Sequence, residues 1–142
     1  MTSLQDALEF IREHHRAVLV TTRGDGRPQV SPVTCAVDGD GPNEANKVVV
    51  STRETAMKTK NLRRAPEATL CVVTDEFFGP WVYVTGPAEI VSLPEAMEGL
   101  VGYYRSVAGE HPDWDDYRAA MEREKRVLLR VTVEDAGPNV SG

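Results

Sequence analysis

Ala17-Val18-Leu19-Val20-Thr21-Thr22, then Gly24-Asp25-Gly26, then the extended run from Gln29 to Val37: this stretch decides the fold. Its first part is apolar and β-branched, which suits a pleated, packed strand. The Gly-Asp-Gly triplet tolerates left-handed backbone, so the chain can reverse there at little conformational cost. Two β-rich runs joined by a short Gly/Asp turn read as a hairpin. Pro32 has no N–H to give to a ladder, so it marks an edge position or a bulge in the second strand.

The same reading extends in both directions. Upstream, Leu4, Ala7, Leu8 and Ile11 recur at helical spacing, with Ser3 and Asp6 placed to cap, which predicts a helix over about 4–14. Downstream, residues 38–46 carry turn chemistry, and Asp38 and Asp40 belong to it rather than to a calcium loop. Val48 to Val50 is the third strand. Ser51 with Glu54 has the form of a capping box, predicting a second helix over about 52–64 that Pro66 stops. Thr69 to Thr74 is the fourth strand. Trp81 to Val91 is a long fifth strand, with Gly86-Pro87 as a bend. Trp81, Tyr83 and Thr85 share one of its faces, Val82 and Val84 the other. Two helices follow, near 95–107 and 113–125, with Asp113, Asp115 and Asp116 in the first turn of the second and Trp114 and Tyr117 on its docking face. Arg126 to Val133 is the sixth strand, and the polar tail from Glu134 is expected to fray. Six strands joined mostly by hairpins make a mainly β, mostly antiparallel class with helical insertions, a small closed or partly closed barrel.

A chain of 142 residues holds one domain with a real core. It has no apolar stretch long enough to span a bilayer and no export signal at its N-terminus, which predicts a cytoplasmic protein without membrane insertion. Without export, the sequon Asn139-Val140-Ser141 carries no meaning, and Cys35 and Cys71 read as buried thiols in a reducing compartment. A net charge of -6 argues against broad binding to nucleic acid or anionic membrane. Yet residues 51–64 hold Arg53, Lys58, Lys60, Arg63 and Arg64 against Glu54 alone. A basic island in an acidic chain suggests a local anion site.

Neither the dinucleotide glycine pattern nor the phosphate-loop pattern occurs. His14 and His15 read as cations at a helix end, and His111 as the anchor of a turn. No His, Cys, Asp and Glu have metal-ligand spacing, and no serine sits in a nucleophile elbow. Any enzymatic chemistry must then come from a bound cofactor. The best candidate site is the start of the second helix. There backbone N–H groups, a hydroxyl and Lys58 can meet a phosphate, with Arg53 and Lys60 near a second negative group. The alternative is a solvated basic helix paired with acidic neighbours.

Three stretches carry a family likeness: Leu19-Val20-Thr21-Thr22 with Gly26-Arg27-Pro28-Gln29-Val30-Ser31, then Lys58 to Pro66, then Tyr104 to Arg118 with Met121 and Arg126-Val127-Leu128-Leu129. By these the chain resembles the split β-barrel superfamily of flavin and deazaflavin oxidoreductases, whose named relative is pyridoxamine 5'-phosphate oxidase. More narrowly, it resembles the actinobacterial branch that uses the deazaflavin coenzyme F420. The resemblance implies a six-stranded, homodimeric, FMN-binding type of split barrel with two cofactor sites, each between subunits. It implies hydride transfer between F420 and an electron-poor conjugated small molecule of enone, quinone or tetrapyrrole type. FMN is the alternative cofactor, and a non-catalytic carrier the alternative role. It also implies that Lys58 holds the cofactor's phosphate or a ring carbonyl, with Thr59 and Asn61 beside it and Ser51 helping. Relatives have a proline and an arginine where this chain has Thr55 and Ala56, which leaves Arg53 or Lys60 to compensate. They also often end in an aromatic segment, where this chain has Glu134-Asp135-Ala136-Gly137-Pro138.

Overall fold

The computed structural model describes residues 2–38 and 46–139. Most of the predicted 38–46 loop, and the sequon at 139–141 beyond its first residue, lie outside the described residues.

β1 (Arg16–Thr22) and β2 (Pro28–Thr34) form the expected hairpin, with Val20 opposite Val30 and Val18 opposite Pro32. β2 is an edge strand, as the missing N–H of Pro32 requires. The remaining strands are β3 (Ala36–Val37), β4 (Lys47–Arg53), β5 (Glu67–Val73), β6 (Trp81–Val91), β7 (Arg126–Thr132) and β8 (Asp135–Gly137). They pair in the order β2-β1-β5-β6-β7-β4-β3, with β8 added to β6, and every pairing is antiparallel. Among the described residues there are thus eight strands rather than six. The second expected strand breaks into β2 and β3 at Cys35. The tail expected to fray instead forms β8, because the outer edge of β6 offers Tyr83, Val84 and Thr85 as ladder partners.

The ladder is open: β2 and β3, at its two ends, are consecutive pieces of chain rather than hydrogen-bonded neighbours. Two corners fold it over the core. At one, β6 leaves β5 and joins β7, and Gly86 passes so close that a Cβ there would lie 1.8 Å from the Thr132 carbonyl oxygen. At the other, the Cys35 N–H donates to the His15 carbonyl (2.8 Å) while the His15 ring Nδ1 meets the Cys35 carbonyl (2.9 Å). His15 therefore satisfies both backbone groups of a buried residue that has left one ladder and not yet entered the next.

α1 (Leu4–Glu13) begins with the predicted capping box: Ser3 Oγ accepts from the Asp6 N–H and Asp6 accepts from the Ser3 N–H. It drives Ala7, Leu8 and Ile11 into a core that includes Leu19, Leu70, Val72, Val84 and Leu129. α2 (Met57–Arg64) adds Leu62. α3 (Met97–Ala108) and α4 (Trp114–Arg123) cover the outer side of β3, β4 and β7, where Leu100, Val101, Tyr117 and Met121 pack on Ala36, Val49 and Leu128. Asp113 caps α4 by accepting from the Asp116 N–H, as expected.

The second helix departs from its predicted start. Ser51, Thr52 and Arg53 continue β4 opposite Leu128, Val127 and Arg126, and the N-cap of α2 is Ala56, which makes no side-chain cap bond. The Ser51–Glu54 pattern fits a capping box locally. Here a full antiparallel ladder with β7 outweighs a single cap.

Candidate functional site

The predicted site residues divide into two groups. Thr59 and Asn61 are buried and already committed within the chain. The Thr59 hydroxyl donates to the Arg53 carbonyl (2.7 Å). The Asn61 amide nitrogen donates to the Thr21 hydroxyl (3.1 Å), and its oxygen accepts from Arg64 (3.3 Å). These bonds tie α2 to the ends of β4 and β1. Among the cations, Arg53 pairs with Glu124 (3.5 Å), Arg63 pairs with Glu54 (2.5 Å), and Arg64 donates to the Thr22 carbonyl. Lys58, half-buried, and Lys60, exposed, form no ion pair among the described residues.

Thr59 and Lys60 give their N–H groups to the Ala56 carbonyl, each at 3.1 Å. The amides of Met57 and Lys58 have no backbone acceptor among the described residues, as first-turn donors normally do not. Two free amides and an uncommitted ammonium at one helix start form a donor set suited to an anionic oxygen cluster. Ser51 is not part of that turn. It lies half-buried on the outward side of β4.

A second feature lies on the sheet. The outward side chains of β2, β1, β5 and β6 align in three rows: Val30, Val20, Thr69, Thr85; Pro32, Val18, Cys71, Tyr83; Thr34, Arg16, Val73, Trp81. Only Arg16 is charged, and it is matched by Asp75 at 3.0 Å. The helices α3 and α4 pack on the other half of the barrel, and α3 reaches the edge of this face through Tyr103 and Val107. A solvated face of an antiparallel sheet normally alternates to polar residues, so a bare face of this composition marks an interaction surface. Cys71 belongs to it and is half-buried, whereas Cys35 is fully buried, its thiol pushed up to about 12 by loss of water. The expectation of two buried thiols holds for Cys35 alone.

At the Arg16 end of this face an open groove of about 1170 Å³ runs along Val18, Pro32, Val73 and Trp81, edged by Phe77, Phe78 and Val107. β1 places it opposite α2: Asn61 and Arg64 hold the chain at Thr21 and Thr22, and the groove starts at Arg16 to Val18. Three residue steps of strand separate Val18 from Thr21, roughly 10 Å. Beside β2, the Tyr103 phenol bonds the Thr34 hydroxyl, and burial raises its pKa against the pull of that bond.

His14 caps the end of α1, its N–H donating to the Phe10 carbonyl, whereas His15 lies beyond the helix and its ring is spent on the Cys35 corner. His111 does anchor its turn: its Nδ1 accepts from the Asp113 N–H at 2.9 Å. Among the described residues no three His, Cys, Asp or Glu side chains are grouped to hold a metal, and no helix is long and apolar enough to cross a membrane.

The groove and the bare face are not evident from local sequence patterns, though each leaves a trace. Phe77-Phe78 is an aromatic pair inside a Gly/Pro turn, and Ala17 to Val20 is apolar at every position rather than every second one.

A mainly β sheet folded over one core, with helices on one outer face, is a split-barrel architecture. The chain belongs to the pyridoxamine 5'-phosphate oxidase family, which it matches over residues 4–138. Its fold is similar to that of a conserved hypothetical protein from Mycobacterium tuberculosis, with a TM-score of 0.74 at 23% identity over 100% of this chain and 92% of the other. It is also similar to an F420 reductase, with a TM-score of 0.67 at 22% identity over 91% and 94% of the two chains. General Stress Protein 26 from Bacillus anthracis shares the fold with a TM-score of 0.64 at 13% identity over 96% and 92%.

Proposed function

We propose that this protein is an oxidoreductase that moves a hydride between the deazaflavin coenzyme F420 and an electron-poor conjugated small molecule, and that it works as a homodimer with its coenzyme sites at the seam. The observation that carries the proposal is the start of α2. Lys58 and Lys60 are uncommitted beside two free amides, in a chain that is acidic elsewhere. F420, when bound, supplies the hydride-carrying ring that no side chain here replaces.

The chain's own contribution is to bind and orient. Lys58 and the amides of Met57 and Lys58 take the negative tail, with Lys60, Arg53 and Ser51 as outlying contacts. Thr59 and Asn61 act from within: they hold α2 at the angle that presents those donors. The outward side chains of β1 and β2, between α2 and the groove, would hold its ring. A second copy seated on that face closes it from water, which strengthens every polar contact inside. The family membership and the similarity in fold to an F420 reductase support the reading.

The test is a pair of binding titrations, F420 against FMN, followed by oxidation of the reduced coenzyme with enones and quinones as acceptors. Tighter binding of F420 with turnover is expected. Tighter binding of FMN makes the protein a flavin-dependent relative, and binding without turnover makes it a carrier. Lys58→Ala should weaken F420 binding about tenfold, the size of one charge-assisted hydrogen bond at a half-exposed site.

A further inference from the structure

We infer that Glu124, in the turn between α4 and β7, is the specificity-determining residue of the anion site at the start of α2. It draws Arg53 away from that site and so favours a phosphate group with one negative charge over one with two. The inference rests on the placement of the site in the reading above and names what sets its selectivity.

The first ground is how two turns are joined. β4 ends at Arg53 and β7 begins at Arg126, and these residues lie directly opposite each other in the ladder. The Arg53 carbonyl accepts from the Ala56 N–H (3.1 Å) and from the Thr59 hydroxyl (2.7 Å), which ties Arg53 to the first turn of α2. Glu54 donates its N–H to the Lys125 carbonyl at 2.9 Å. The α4–β7 turn is therefore fixed against the helix start, and its charges act on an anion bound there.

The second ground is the position of the Glu124 carboxylate. Like charges directly opposite on paired strands repel each other. Glu124 relieves the repulsion between Arg53 and Arg126. One of its oxygens accepts from Arg126 Nε (3.1 Å) and Nη2 (2.8 Å), and Arg53 Nη2 lies 3.5 Å from the same oxygen. The bond to Arg126, first among the causes, holds the Glu124 carboxyl below its ordinary pKa, so it stays charged at neutral pH. The side chains of Glu124 and Arg126 are 31% and 27% exposed, against 59% for Arg53. The inner pair is the firm one. Arg53 is the loosely held member, and it turns toward an anion once the carboxylate's charge is gone.

The third ground is the charge that remains. Glu54 takes Arg63 at 2.5 Å, and Arg64 is spent on the Thr22 carbonyl. Lys58 and Lys60 are the cations of α2 left without a partner among the described residues. A bound anion thus meets two lysines with a carboxylate close behind them. Repulsion from that carboxylate scales with the anion's charge. It is twice as large for a phosphomonoester dianion, as in FMN, as for a phosphodiester monoanion, as in F420. At roughly 10 Å under surface screening, one unit charge changes a monoanion's affinity about threefold and a dianion's about tenfold.

The test uses the intact chain and three probes: F420 and FMN, followed by their own fluorescence, and inorganic pyrophosphate, followed by calorimetry. Glu124→Gln removes the charge while its amide oxygen can still accept from Arg126. At low salt it should tighten FMN about tenfold and F420 about threefold, so the preference for F420 over FMN falls about threefold. Both gains should shrink at high salt. Glu124→Ala should shift the preference in the same direction. In an Arg53→Gln background the gain for FMN should drop to about threefold, because no guanidinium is released. A purely structural role for Glu124 would lower the thermal melt without moving the ratio of the two ligands. An unchanged ratio in both Glu124 variants, or an equal gain with and without Arg53, overturns the inference. If neither coenzyme binds but pyrophosphate does, and Glu124→Gln tightens it at least about tenfold, the coenzyme assignment fails and this inference stands. If F420 binds with turnover and the ratio ignores Glu124, the reverse holds. If none of the three probes binds, both fail.

Discussion

Asn61 is where a structural and a cofactor-touching role can be separated most cleanly. It lies in the matched stretch Lys58 to Pro66, yet only 1% of it is exposed and both ends of its amide are engaged inside the chain. Asn61→Ala removes the bond to Thr21 and leaves that hydroxyl, itself 2% exposed, without its partner. One lost buried hydrogen bond, one orphaned hydroxyl and a small void together cost about 2–3 kcal/mol. The unfolding entropy of a chain this long is about 0.3 kcal/mol per degree, so the midpoint should fall by about 8 °C. The assay is a thermal melt by circular dichroism, paired with an F420 titration at least 20 degrees below the lower midpoint. There the affinity of Asn61→Ala should stay within about threefold of the parent, because α2 remains folded and the loss is one of stability. Lys58→Ala should behave in the opposite way, with a melt within about 1 °C and a dissociation constant about tenfold higher. If Asn61→Ala melts like the parent while its F420 affinity collapses, the division of the site into holding and touching residues is wrong.

Gly86→Ala places a Cβ 1.8 Å from the Thr132 carbonyl oxygen at the corner where β6 changes partners, so the variant should melt more than about 10 °C lower or fail to accumulate as folded protein. Val20→Glu puts a charge in the centre of the bare sheet face. Sedimentation should show a shift from dimer to monomer with the circular dichroism spectrum retained, and an unshifted dimer would move the seam elsewhere. Tyr117 has its phenol raised from 10.0 to about 12, first by burial, and donates to the Leu100 carbonyl at 2.8 Å. Because its neutral form is favoured in the fold, its stabilisation is complete below about pH 10 and is lost as pH climbs through about 12. Tyr117→Phe should therefore melt lower at pH 7 but lose less of its midpoint between those two pH values; a slope equal to the parent's would remove Tyr117 as a cause.

Which parts of this were legible in the sequence follows from how local the deciding interaction is. The hairpin at Gly24-Asp25-Gly26, the capping box at Ser3 and Asp6, and the full extent of β6 were readable because each is decided within a few residues. Ser51 and Asp135 were misread for the opposite reason. Their strand state depends on Leu128 and Thr85, far along the chain, and no local pattern reports such partners. The basic island was legible as composition, but which of its cations stay free was not, because Glu54, Glu124 and Thr22 claim three of them only after folding.

The bare face was written in the sequence in a form that is easily passed over. A strand with one wet side alternates, and β1 does not: Ala17 and Leu19 enter the core while Val18 and Val20 point away from it. β5 repeats this with Leu70 and Val72 inward, Cys71 and Val73 outward. Apolar residues on both sides of a strand are the mark of burial on both sides. One chain supplies the inner cover through α1 and α2 and leaves the outer one bare. A hydrophobic run that its own domain only half uses argues for a cover brought by another molecule, and the near absence of charge across three rows argues that the cover is apolar as well. A second copy meets that requirement by construction, since the face it brings is the same one. That is why Val20→Glu bears on the whole functional reading: if the face stays wet, the coenzyme loses its dry seam along with the partner.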